Sequence, residues 1–157
     1  MHVERTERIW MWAATGMLVL FTGAIVATAM VGSAHPPSHT ETVNPETLSV
    51  QGEFASPGVV TDAGGGVTVS LRAEFYVFRP GVVRVPVGVP VTFRVTSPDV
   101  LHGFQVVGTN VNLTVSPGYV SQATTTFDTP GEYLVVCNEY CGLAHHLMQG
   151  TVVVEPR

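Results

Sequence analysis

The sequence predicts an all-β domain, an antiparallel sandwich or Greek-key barrel, behind one N-terminal transmembrane helix. Three features predict it. Residues 9–34 carry no charge. From residue 67 onward, apolar and polar side chains alternate at period two, the mark of half-buried strands. No amphipathic helical pattern of useful length follows residue 34. The chain has 157 residues, enough for one modest domain and a tail. Its residues are 45% hydrophobic and 12% charged, and that charge is about half the usual share, which points to a membrane segment. A net charge of −5 removes the basic face that nucleic-acid binding needs.

Residues 1–8 form a charged tail with Glu4, Arg5, Glu7 and Arg8. The uncharged run at 9–34 exceeds the about 20 residues that cross a bilayer as a helix. Trp10 and Trp12 stand at its start, where amphipathic rings favour a membrane interface. Arg5 and Arg8 precede the run, and no Lys or Arg follows until Arg72. The positive-inside rule therefore sets the N-terminus in the cytoplasm and the rest outside a single-pass cell membrane protein. The alternative is a cleavable signal ending near Gly32-Ser33-Ala34. The run is longer than a signal core of about 7–15 residues, which favours an uncleaved anchor.

Residues 35–66 read as a linker and irregular lead-in, with Pro36, Pro37, Pro45, Pro57 and the run Gly64-Gly65-Gly66. His35 and His39 fall in this stretch and read as solvated side chains rather than ligands. The β domain occupies 67–157. Val67, Val69, Leu71, Ala73 and Phe75 alternate with Thr68, Ser70, Arg72 and Glu74. Val91, Phe93 and Val95 form a second series, and Val111, Leu113 and Val115 a third. Further strands are expected near 82–86, 103–107, 119–127, 131–137 and 150–155. Turn signals separate them at Arg79-Pro80-Gly81, Pro86-Val87-Gly88, Ser116-Pro117-Gly118 and Thr129-Pro130-Gly131. Seven or eight short strands at such spacing imply a sandwich or barrel.

The chemistry concentrates in V-C-N-E-Y-C-G-L-A-H-H-L-M-Q-G, residues 136–150. It holds the only two cysteines, Cys137 and Cys141, with His145 and Met148 following. Thiolate and thioether donors select copper over hard cations. His102, in the upstream S-P-D-V-L-H-G-F, is a further donor. A disulfide is the competing reading for a cysteine pair outside the cytoplasm, but it needs neither His145 nor Met148. His146 competes with His145. A mononuclear blue-copper site uses one thiolate, two imidazoles and a weak thioether, which leaves the second cysteine surplus. Two thiolates shared between two copper ions give each ion one imidazole and one weak donor. Met148 would serve one ion and a loop carbonyl the other.

These two loops, C-N-E-Y-C-G-L-A-H-H-L-M and S-P-D-V-L-H-G-F, resemble the binuclear copper A domain of cytochrome c oxidase subunit II. The likeness covers roughly residues 68–155. The single N-terminal helix is similar to the subunit II of ba3-type oxidases. The resemblance implies a cupredoxin barrel with Cys137 and Cys141 bridging two coppers, and His102 and His145 taking one each. Met148 and the backbone carbonyl of Glu139 are then the weak ligands. In many members the carboxylate at the Glu139 position also binds magnesium against subunit I, though ba3-like members can carry glutamine there. Many members have a tryptophan for electron entry. The domain here has none, and Phe75, Tyr76 and Phe78 are the nearest substitutes, or else core and turn packing.

The resemblance implies that the chain takes electrons from cytochrome c or a small copper protein. It would pass them to haem in subunit I, where oxygen is reduced and protons are moved. Residues 35–157 carry five Arg against ten Asp and Glu, and an acidic face would steer a basic donor. The alternatives are the copper A subunit of a nitric-oxide reductase or, less well supported, of a nitrous-oxide reductase. A membrane-anchored copper chaperone is a third, and its usual α/β helices are missing.

Overall fold

The computed structural model describes residues 4–31 and 41–156. The chain divides into two compact units, 1–39 and 40–157. In the first, α1 runs from Arg5 to Val31 as 27 residues. At 1.5 Å per residue it is about 40 Å long. Its span from Arg5 to Met30 is long and apolar enough to cross a membrane and has no buried side chain. Apolar residues surround the helix on every side, with Trp10 and Trp12 both largely exposed. Such a helix has no protein core to pack against and suits a lipid surround. Two of its interior threonines, Thr15 and Thr28, are satisfied within the helix. Thr15 donates to the Met11 carbonyl at 2.8 Å and Thr28 to that of Ala24 at 2.9 Å. Residues 32–34 of the expected span, and His35 and His39, lie outside the described residues.

In the second unit ten strands run in chain order. They are β1 (Val59–Thr61), β2 (Val67–Glu74), β3 (Val77–Arg79), β4 (Val82–Pro86), β5 (Pro90–Thr96), β6 (His102–Val106), β7 (Asn112–Val115), β8 (Ser121–Thr126), β9 (Gly131–Val136) and β10 (Gln149–Glu155). One sheet has the order β1-β2-β5-β8, with β3 also on β2. The other has the order β4-β10-β9-β6-β7. The inward residues of both sheets meet in one core, where Val69, Val91, Phe93, Val95, Phe104, Val106 and Val152 have no exposure. Phe93 sits at its centre, its ring 5.5 Å from that of Phe104 and 6.4 Å from that of Phe127. Each such side chain contributes about 1.5–3 kcal/mol by leaving water.

Three differences from the sequence reading have physical causes. The sheets are mixed: β2 pairs with β5, and β4 with β10, in parallel. Alternation reveals which face of a strand is buried and carries no information on the direction of its neighbour. Second, the lead-in is docked. Leu48 and Phe54 are buried, Thr42 bridges to Tyr119, and Arg72 Nη1 donates to the Phe54 carbonyl at 2.9 Å. Third, Phe75 closes the alternating series of β2 yet is 52% exposed. The strand ends at Glu74, so Phe75 is no longer bound to the pleat.

Three neighbouring strands of the second sheet position the site. Val136 of β9 is paired with Gln105 of β6 on one side and with Gln149 of β10 on the other. β6 is antiparallel to β9 and pairs with it only through Gln105 and Val106, so the start of β6 runs on past the end of β9, at the end of the sheet where β10 begins. His102 opens β6, Cys137 follows β9, and Met148 precedes β10. The Cys137 N–H donates to the Met148 carbonyl at 3.2 Å, closing the loop between them at its base.

Candidate metal centre

Residues 138–148 leave the sheet and return to it within a dozen positions, so the loop is held at both ends. A single 3-10 turn, His145–Leu147, lifts His145 toward the interior. At the centre lie two unlinked thiols, with Cys137 Sγ 3.7 Å from Cys141 Sγ. Around Cys137, His102 Nδ1 stands at 4.0 Å and the Glu139 carbonyl oxygen at 3.2 Å. Around Cys141, His145 Nδ1 stands at 3.6 Å and Met148 Sδ at 3.8 Å. Each sulfur thus has one imidazole nitrogen and one weak donor beside it. His102, Cys137 and Cys141 alone offer three ligand atoms within 4.8 Å of one another. Cys137, Cys141, Met148 and His102 are all buried, so a bound ion would be held away from water.

This donor set fits a soft metal. It has two sulfurs able to become thiolates, a thioether, and two imidazoles with Nδ1 facing inward. The Cys141 thiol is protonated at neutral pH without a metal. Burial, then the hydrogen bond with Cys137, pushes Cys141 up to about 11. Metal binding must therefore release protons.

The surroundings contain residues that sequence reasoning missed. Asp99 Oδ1 accepts from His102 Nε2 at 2.7 Å and from the Val100 N–H at 2.6 Å. Ser97 Oγ donates to the same oxygen at 3.0 Å, and the Phe75 N–H donates to Oδ2 at 2.8 Å. Burial works to raise this carboxyl's pKa, but the bonds from His102, Val100, Phe75 and Ser97 outweigh it and hold it below the usual carboxylate range. The signal available in the sequence was an acidic residue three positions before a ligand candidate. Gly103 was also missed. Its N–H donates to Cys137 Sγ at 3.4 Å, and a Cβ there would lie 2.7 Å from the backbone nitrogens of Asn138 and Glu139.

The aromatic trio divides. Phe75 is exposed, with its ring edge-on to His102 at 6.3 Å. The Tyr76 ring lies 5.4 Å from that of Phe75, and its hydroxyl covers Gly142 of the metal loop. Phe78 is buried against Phe104 at 5.4 Å, as a core residue. Of the adjacent histidines, His145 faces the sulfurs and His146 is exposed.

The family model for the periplasmic domain of cytochrome c oxidase subunit II matches residues 75–156, which include every one of these donors. The cytochrome c oxidase subunit 2 of Thermus thermophilus is 40% identical over 153 residues, covering 95% of this chain and 91% of that protein. The chain belongs to the cytochrome c oxidase subunit II family. A subunit of a haem–copper terminal oxidase dimer superposes with a TM-score of 0.63 at 32% identity, covering 96% of this chain and all of that one. The periplasmic domain of subunit II of the Bradyrhizobium japonicum cytochrome oxidase shares the fold, with a TM-score of 0.53 at 19% identity over 57% of this chain. The β domain is accordingly cupredoxin-like, and this chain is a subunit of the oxidoreductase type that its family defines.

Proposed function

We propose that this subunit II is the electron-accepting subunit of its oxidase and holds a binuclear copper A centre. Cys137 and Cys141 would hold the ions through their sulfurs, His102 and His145 would supply one imidazole each, and Met148 and the Glu139 carbonyl would be the weak donors. One observation carries the reading: two unlinked sulfurs 3.7 Å apart, each flanked by one imidazole nitrogen and one weak donor. A mononuclear site would leave one of the sulfurs without a purpose. The copper pair, when bound, supplies a one-electron store shared over two ions.

The chain's own residues keep that store rigid and dry. The three strand ends fix His102, Cys137 and Met148, and the buried pocket excludes water. A set of donors held by strand ends and largely buried suits transfer of electrons. Phe75, exposed beside His102, and the half-buried Tyr76 against the metal loop are the electron-entry surface; Phe78 supports them from the core. The donor is cytochrome c or a small copper protein, and the acceptor is haem in subunit I, where oxygen is reduced and protons are translocated. α1 crosses the cell membrane with its N-terminus in the cytoplasm, leaving the copper domain on the periplasmic side. The Glu139 carboxylate is the candidate magnesium ligand against subunit I.

The test is a copper count with electron paramagnetic resonance on the full chain in detergent. Two coppers per chain with one unpaired electron spread over both are expected, and Cys141→Ser should abolish that shared spectrum. A single copper with an ordinary mononuclear spectrum would overturn the binuclear reading in favour of a blue-copper or chaperone protein.

A further inference from the structure

The two imidazoles have different surroundings. His102 has no exposure, and its outer nitrogen, Nε2, lies 2.7 Å from Asp99 Oδ1. His145 is half-buried beside the Tyr140 ring at 5.8 Å, and no carboxylate backs it among the described residues. An ionised carboxylate only accepts hydrogen bonds, and a neutral imidazole carries one N–H and one lone pair. The Asp99 bond therefore places the His102 proton on Nε2 and the lone pair on Nδ1, the nitrogen facing Cys137 Sγ. Asp99 is itself fixed. Its two oxygens receive the Ser97 hydroxyl and the N–H groups of Val100 and Phe75. The Phe75 bond joins this carboxylate to a residue 24 positions away, the exposed member of the Phe75–Tyr76 pair.

We propose that Asp99 is a positioning residue for the metal centre: it presets His102 as the Nε2–H tautomer and makes the two imidazole ligands electronically inequivalent. The inference rests on the copper reading above for its consequence, though not for the tautomer. A carboxylate behind a ligating imidazole raises the basicity of the ligand, and loss of such a partner typically weakens metal binding by roughly 10–100-fold. Asp99 touches the ligand and never the metal, so its effect passes through His102. The anchored Phe75 N–H also means that a change at Asp99 is felt by the aromatic surface.

The experiment uses the full chain in detergent, as wild type, Asp99→Asn and Asp99→Ala. Nitrogen-15 NMR of the metal-free protein reads the His102 tautomer directly. The expected result is Nε2–H in the wild type and in Asp99→Asn, whose side-chain oxygen still accepts, with a mixture of tautomers in Asp99→Ala. Chelator competition should then find copper bound roughly 10–100-fold more weakly by Asp99→Ala. The copper reduction potential should rise in Asp99→Asn, because removal of a negative charge favours the less positive reduced centre. A wild-type proton on Nδ1 would overturn the proposal. So would unchanged affinity and potential in the variants, even if their melting temperatures fell, since a purely structural aspartate would give that pattern. If Asp99→Ala does not fold, the potential of Asp99→Asn decides. A wild-type chain that shows the Nε2–H tautomer and binds no copper pair would sink the proposed function and leave the tautomer assignment standing.

Discussion

Gly103 shows what a single residue does at this site. It follows His102 directly, and the backbone leading from Cys137 passes over it, with the nitrogens of Asn138 and Glu139 both 2.7 Å from where a Cβ would stand. Only hydrogen fits there. A methyl group cannot be absorbed by a flexible side chain, since the obstacle is main chain. Gly103→Ala must therefore push residues 138–139 outward, moving Cys137 Sγ and the Glu139 carbonyl away from His102. A cost of about 1–3 kcal/mol is expected, as for overpacking elsewhere. Thermal melting would measure that cost, and chelator competition should find weaker copper retention with the core intact. Retention at wild-type strength would mean that the loop tolerates displacement. The same contrast separates what was legible in the sequence from what was not. His102, Cys137, Cys141, His145 and Met148 announce themselves by donor chemistry and close spacing. Gly103 does not, because its role exists only once distant segments cross. Asp99 stood in plain view three residues from His102, but its spacing alone did not say that its carboxylate would face the imidazole.

At the scale of elements, register does the positioning. The row Gln105-Val136-Gln149 sets how far the start of antiparallel β6 runs past the end of β9, and this carries His102 over the loop that joins β9 to β10. Strand identity was readable from period two, since the inward faces of β2, β5 and β10 are continuous apolar rows. β1 and β3 were not readable: each has three residues, too few for a period to declare itself. The parallel pairs were hidden for a different reason, as partner choice depends on how the chain crosses between sheets. The second sheet keeps its register by packing on the first, and Phe93 of β5 is the contact with Phe104 of β6. Phe93→Ala would empty a fully buried site and should cost about 3–5 kcal/mol. Urea unfolding of the copper-free chain would show this as a lower midpoint at unchanged slope. A loss well below that range would mean that Phe104 and Phe127 close over the gap, and that the sheets are less tightly coupled than their interdigitation implies.

At the scale of the whole molecule, the proposed electron donor has to find the metal end. The net charge of −5 suggests long-range attraction of a basic protein. The distribution of that charge argues otherwise. The four described arginines of the β unit are all engaged: Arg72 and Arg79 with Glu74, Arg84 with Glu155, and Arg94 with Glu41 and Glu53. Among the described residues of the β unit, Glu46, Asp62, Asp128, Glu132 and Glu139 have no basic partner. Asp62 precedes β2, and Asp128 and Glu132 flank the start of β9, so these three lie at the strand ends away from the metal. The metal end instead exposes Leu143 at 90%, Tyr140 at 75%, Leu147 at 67% and Phe75 at 52%. An apolar contact is non-directional and insensitive to salt, whereas steering between exposed charges is screened beyond about 8 Å at physiological ionic strength. Electron transfer from a reduced basic cytochrome c to the copper-loaded chain should therefore change little as salt is raised in a stopped-flow series. Leu143→Ser should weaken docking by roughly ten-fold, the worth of one leucine withdrawn from the contact, without altering the copper spectrum. A steep fall with salt and an indifferent Leu143→Ser would reverse the conclusion. The acidic groups would then be the docking feature, and the exposed apolar cluster would be left to pack against subunit I.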